Sequence, residues 1–366
     1  MNKNKGDYMI NLKKVGLTAL AGSLVAVSAQ AGEMSVSGAA NLTYVTGGSG
    51  DNSAQSIGSD KDVKFSGSGE LDNGWTFALH TLSKDDLTVS STATTITMGS
   101  MGTIGVGSGG GGNVNGGYDE PVPMAYEEIS DGGQGQSAAN YMGSWADDNA
   151  IIYNAPAMDM MGATVNLGVE YSFQAAAAST NDGGSLARDN TYGNGYGVGI
   201  TAAYDALTVG AYVAERENKN PTTVDDVRDE FNGAWFAKYN FGPVSIGYSQ
   251  AYVDTGVTAT ADATTSPKTV GENGGIMESE SMSIAFNVND NLSISYGETT
   301  ETYDAQSNVK GGTEIEDVDQ DIESLQVAYS MGGMSIKAYT TETTNPNYDS
   351  DAEKQVKNEI ALGLAF

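Results

Sequence analysis

The sequence predicts an all-β fold, a membrane-spanning antiparallel barrel of about 16 strands with short turns at one rim and long loops at the other. Three features carry this reading. Apolar and polar residues alternate with period two along most of the chain, and short and long connections alternate between the runs. Beyond the N-terminus, no segment is apolar for long enough to make a membrane-crossing helix.

The first residues read as an export signal. Lys13 and Lys14 precede an uncharged apolar run from Val15 to Val27, and Ala29-Gln30-Ala31 closes it with small residues. That order is the order of a secretory signal, with cleavage expected after Ala31. The run is too short to cross roughly 30 Å of hydrocarbon as a helix, which argues against an anchor. Met9 offers an alternative start. Residues 1–31 are therefore expected to be a signal peptide, and 32–366 the barrel.

Composition then removes whole classes of function. Lys+Arg 17 against Asp+Glu 47 leaves a formal net charge of −30, with no basic surface for a nucleic acid. Cys is 0, which excludes disulfides, thiolate metal sites and cysteine nucleophiles. The single histidine, His80, falls by parity on the inward face with Thr76 and Ala78, and one histidine cannot build a multi-histidine metal site. No spacing singles out an acid/base pair of carboxylates, so no enzyme is expected.

The strands follow in order. Met34, Val36, Gly38, Ala40, Leu42 and Tyr44 alternate with Ser35, Ser37, Ala39, Asn41 and Thr43. The same period places Lys64, Ser66, Ser68 and Glu70 opposite Val63, Phe65 and Leu71, and Thr164 to Ser172 opposite Ala163 to Phe173. Successive strand side chains point to opposite faces, so each run has one apolar and one small, polar face. Tight-turn residues occur at Asp72-Asn73-Gly74, Ser100-Met101, Asp205, Gly242-Pro243, Asn289-Asp290-Asn291 and Met331-Gly332-Gly333. Long connections are expected near 46–60, 83–91, 108–148, 174–194, 218–230, 255–277, 302–320 and 345–355. Tyr153, Tyr204, Tyr239, Phe241, Phe286, Tyr329 and Phe366 fall near the short-turn end of strands, and Trp75 begins one, as rings at a lipid–water boundary would.

The loop 108–148 is far longer than a hairpin connection. Its centre holds Tyr118, Asp119, Glu120, Pro121, Pro123, Tyr126, Glu127, Glu128 and Asp131, bulky and acidic residues suited to narrowing a pore and repelling anions. By parity the inward cations are Lys64, Arg216, Lys238 and Lys337.

Two linked segments resemble the Gram-negative general porin family. One is Thr94-Thr95-Ile96-Thr97-Met98-Gly99-Ser100-Met101-Gly102-Thr103-Ile104-Gly105-Val106-Gly107-Ser108, similar to that family's strand, glycine turn and strand before its third loop. The other is Asn149-Ala150-Ile151-Ile152-Tyr153-Asn154-Ala155-Pro156, followed by Met161-Gly162-Ala163, similar to its returning strand, proline-marked turn and next strand. The terminal alternation Ile360, Leu362, Leu364, Phe366 resembles the signal read by the outer-membrane assembly machinery. The resemblance implies a homotrimer in the Gram-negative outer membrane, in contact with its lipids and lipopolysaccharide, each protomer with a water-filled pore narrowed by the inward-folded loop 108–148. It also implies passive diffusion of small hydrophilic solutes. Many members place arginines opposite the acidic loop, whereas this chain has Gly105 and Ile152 at the matching positions. The expected lumen is therefore net negative and cation-preferring.

Other motifs carry less. Gly102-x-x-Gly105-x-Gly107-x-Gly109 lies in a hairpin with no phosphate-binding lysine. Asp317-Val318-Asp319-Gln320-Asp321 begins like a calcium loop, but Ile322 and Ala328 stand where the turn glycine and bidentate glutamate belong. No cofactor is required. Divalent cations such as calcium are compatible with loops this acidic, without a fixed ligand set. A substrate-selective channel and a secreted β-rich adhesin are the competing readings.

Overall fold

The computed structural model describes residues 32–49, 52–85, 87–108, 113–132, 142–147, 150–173, 192–219, 229–256, 275–304 and 316–365. The expected signal segment, most of the loops beyond residue 174 and the terminal Phe366 lie outside them.

The strands are β1 (Met34–Ser49), β2 (Asn52–Glu70), β3 (Thr76–Ser83), β4 (Val89–Thr97), β5 (Thr103–Ser108), β6 (Ala150–Asn154), β7 (Met158–Met160), β8 (Ala163–Ser172) and β9 (Tyr192–Tyr204). They continue as β10 (Leu207–Asn218), β11 (Glu230–Phe241), β12 (Val244–Asp254), β13 (Ile276–Asn289), β14 (Leu292–Asp304), β15 (Val318–Met331), β16 (Met334–Thr344) and β17 (Gln355–Ala365). All 17 segments belong to one sheet. Each pairs antiparallel with its neighbours, and β17 returns to β1 from Ala39↔Ala365 to Ser49↔Gln355. The sheet closes, which leaves the ring without the unpaired edges that hydrocarbon would not tolerate.

β6 and β7 both pair with β8, so the 17 segments make 16 staves. This corrects one sequence expectation. Pro156 does not mark the turn; it interrupts a single stave, because proline offers no N–H to the ladder. The turn itself is Met161-Gly162, with φ of 57° and 87°, where Gly162 N–H donates to Asp159 Oδ1 (3.2 Å). A second correction concerns 46–60. β1 and β2 run through it in register up to Ser49↔Asn52, so its described residues are strand rather than a long loop. Its Ser, Gly and Asp residues lack apolar alternation, which hid the strand from a hydropathy reading.

The two faces of the ring differ as the alternation requires. Leu42, Phe65, Leu79, Ile200, Trp235, Ile246, Ile284, Ile294, Leu325, Ile336 and Ile360 project outward and are exposed. So many exposed large apolar side chains would be an aggregation hazard in water but suit a lipid-facing band. Tyr204, Tyr239, Phe241, Phe286 and Tyr329 also project outward, at the short-turn ends of their strands.

Candidate functional site: the inward loop

The inward faces carry small and polar residues, and a loop lies against them. The chain leaves the wall after β5 and returns at β6, but between these points residues 113–132 run around the inside of the ring. Val114 N–H donates to Glu170 Oε2 on β8 (2.7 Å). The Tyr118 ring stacks on Tyr212 of β10 (5.2 Å between centroids) and tilts against Phe236 of β11 (5.9 Å). Ser283 of β13 donates to Pro123 O (2.8 Å), and Ala125 N–H donates to Ser295 Oγ of β14 (2.9 Å). On β15, Gln326 Oε1 accepts from Tyr126 N–H (2.9 Å) and Glu127 N–H (3.0 Å), while its Nε2 donates to Glu127 O (2.8 Å). The Tyr126 hydroxyl donates to Glu359 Oε1 of β17 (2.8 Å).

Wall side chains thus satisfy the backbone of a segment that has no strand partner of its own. A buried amide left unpaired costs about 1–3 kcal/mol, so each of these contacts matters to where the loop sits. The returning leg is tied as well. Asn115 Nδ2 donates to Met142 O (3.3 Å) and Gly143 O (3.2 Å), and Gly143 N–H donates to Asn232 Oδ1 of β11 (3.2 Å).

The wall makes room for the loop with glycine. Along β9, Gly195, Gly197 and Gly199 share the inward face. A Cβ on Gly199 would lie 2.6 Å from the Tyr118 ring, and one on Gly195 would lie 2.8 Å from Trp145. The absence of side chains on this stave is what lets the aromatic root of the loop lie flat on it.

The loop carboxylates fall into two groups. Glu120 is 2 % exposed and points into the wall, where it meets Ser130, Ser281 and Thr299. Asp119, Glu127 and Glu128 are half-buried and Asp131 is exposed. Burial, then the neighbouring Asp119 and Asp131, push the Glu128 carboxyl up to about 9. Burial and then Asp131 likewise raise Glu127, with Lys337 opposing them. Burial, followed by the hydrogen bond to Glu359, raises the Tyr126 hydroxyl.

The cations are held beside aromatic rings or carboxylates. Lys337 Nζ lies 4.6 Å from the Tyr126 ring centroid, and Lys357 Nζ lies 5.3 Å from that of Tyr339. Lys238 sits 4.8 Å from the Phe236 ring. Arg216 pairs with Glu230 and covers the Tyr192 ring. Lys64, on β2, shares a cavity with Ser66, Ala78, His80 and Ala93.

The structure therefore brings Tyr126, Glu127, Glu128, Asp131 and Lys337 into one neighbourhood. Tyr118 and Glu120 serve instead as anchors, and Arg216 is turned toward Glu230. Lys357, Glu359, Tyr339, Gln326, Glu170 and the β9 glycines belong to the site but escaped the sequence reading. The alternate glycines at 193–199 and the inward parity of Lys357 and Glu359 were the available signals. Among the described residues, no group of His, Cys, Asp and Glu is arranged to hold a metal ion.

The fold is shared with known porins. Across residues 16–354 the chain matches the family model described as Gram-negative porin. Among solved structures it is similar to a porin refined at 1.8 Å (15% identity, TM-score 0.59, 91% of this chain and 100% of that one). It is also similar to the OmpF of Salmonella typhi, solved in complex with daunomycin (14%, TM-score 0.61, 92% and 98%). An anion-selective porin from Comamonas acidovorans is similar too (12%, TM-score 0.60, 92% and 100%). No curated protein matches in sequence. With the family model spanning nearly all of it, this non-enzymatic, outer-membrane barrel belongs to the Gram-negative porin family.

Proposed function

We propose that this porin is a water-filled channel through which small hydrophilic solutes and ions diffuse passively, with a preference for cations. The carrying observation is the disposition of charge on the inward loop. Asp119, Glu127, Glu128 and Asp131 cluster on it, while Arg216 is paired with Glu230 and Lys337 and Lys357 sit over tyrosine rings. Carboxylates at a constriction favour cations in transit. The fold alone does not decide the sign, since an anion-selective porin shares it. A reversal potential measured in a salt gradient across a planar bilayer tests the reading; anion selectivity would overturn it.

The same reading assigns a homotrimer. β3, β4 and β5 have 8, 9 and 6 residues, against 11 to 14 for β10 to β17. The outward positions of this low wall include Thr81, Thr92 and Thr94, with Gly67 and Gly69 beside them on β2, small residues suited to close approach by another copy. The taller staves would face lipid and lipopolysaccharide. Native mass spectrometry of the detergent-extracted protein reads the stoichiometry directly. Export by cleavage after Ala31 is read by the N-terminal peptide of the mature protein.

A further inference from the structure

Glu120 is the most enclosed carboxyl of the loop, and no Lys or Arg among the described residues bonds to it. A tight turn aims it into the wall: Val122 N–H donates to Glu120 O (2.7 Å) across Pro121, and Glu120 itself has a φ of 36°. That left-handed backbone is unusual for a residue with a side chain. On one side, Ser130 contributes both its N–H (2.9 Å) and its hydroxyl (2.5 Å) to Glu120 Oε2. On the other, Oε1 meets Ser281 Oγ of β13 (3.0 Å) and Thr299 Oγ1 of β14, and these two hydroxyls lie 2.9 Å from each other.

Counting protons in that second group is informative. Three oxygens make three mutual contacts, but the two hydroxyls bring only two protons. An ionised carboxylate leaves one contact as two facing lone pairs, whereas a carboxyl proton on Oε1 closes the ring. Enclosure away from water favours the same form, because an uncompensated buried charge is costly. Of the acidic neighbours, Glu128 lies on the same loop, and Glu301, two residues along β14, is engaged with Gln320 and Tyr348.

We propose that Glu120 is a positioning residue of the constriction, held as a neutral carboxylic acid that donates a hydrogen bond to the β13–β14 hydroxyl pair and so pins the loop to the wall. Burial raises its carboxyl above the ordinary value of 4.5, with the Ser130, Thr299 and Ser281 hydrogen bonds opposing it. In the undocked loop the group titrates normally, so docking is fully supported below that ordinary value. The support is lost as pH rises toward the docked value. This inference rests on the loop being the constriction, but its first test does not depend on conduction.

The test compares the full-length wild type with E120Q and E120A by infrared difference spectroscopy and single-channel recording. A glutamine amide, like a neutral acid, has both a donor and an acceptor. At neutral pH, wild type should show, beside the band of the protonated Glu128, a further protonated-carboxyl C=O component, shifted in D2O, that E120Q lacks. E120Q should keep the wild-type conductance and stay quiet into alkaline pH, where wild-type current noise increases. E120A should be noisy at every pH. A wild-type spectrum whose protonated-carboxyl band is unchanged in E120Q would overturn the proposal, as would an E120Q channel as noisy as E120A. If wild type did not conduct at all, the channel reading would fail while the infrared result would still decide this one.

Discussion

The Tyr126 hydroxyl lies 2.8 Å from Glu359 Oε1, so a loop that leaves the wall after β5 is tied to the last strand of the ring. Tyr339 donates to the other oxygen of the same carboxylate (3.1 Å), and the two rings are 5.9 Å apart. A hydrogen bond to a charged acceptor is worth about 1.5–3 kcal/mol, enough to set the position of a loop tip. Tyr126→Phe should therefore raise open-channel noise while leaving barrel assembly intact. Single-channel traces check this, and quiet traces would show that the tie is idle.

Lys337 stands over the Tyr126 ring and opposes the upward shift of the Glu127 carboxyl. Replacing it with methionine keeps much of the alkyl packing and removes a lumen cation. Lys337→Met should move the zero-current potential further toward cation selectivity. A shift toward anions would mean that Lys337 does not face the permeation path.

The glycine stave tests how the loop is seated. Gly199→Leu would drive a side chain into Tyr118, whose ring a Cβ alone would approach to 2.6 Å. Overpacking of this kind costs about 1–3 kcal/mol. Displacement of the loop should change conductance and expose the loop to protease, and Tyr118→Ala should partly restore both. If Gly199→Leu conducts as wild type does, the stave is not a seat.

Glu128 makes the selectivity depend on pH. Its carboxyl, pushed up to about 9 by burial and its acidic neighbours, is neutral at physiological pH and ionises as pH passes that value. Glu127 is raised for similar reasons. Cation preference should thus strengthen from neutral to alkaline pH, and Glu128→Gln should flatten the rise. Reversal potentials across a pH series measure it; a fall with rising pH would contradict the assignment.

How much of this was legible in the sequence depends on the physics of each feature. Period-two alternation reports which face a side chain takes, so the staves from β8 onward and the inward parity of Lys238 and Lys337 could be read directly. Where both faces are small or polar, as from Ser49 to Asp62, the alternation vanishes and only pairing with β1 reveals the strand. The loop carried its composition openly, but composition does not say which carboxylate turns inward to the wall. Glu120 is set apart by contacts with Ser281 and Thr299, residues far along the chain. Gln326 bonds the loop from 199 and 200 positions away, a separation that no local pattern encodes.

The central claim is that the inward acidic loop governs which ions pass. It is tested most directly by comparing reversal potentials of wild type with a variant neutralised at Asp119, Glu127, Glu128 and Asp131, each replaced by its amide. The account predicts a cation-selective wild type and a variant shifted toward no selectivity, with the barrel still assembled. An anion-selective wild type, or a neutralised variant as cation-selective as its parent, would contradict it.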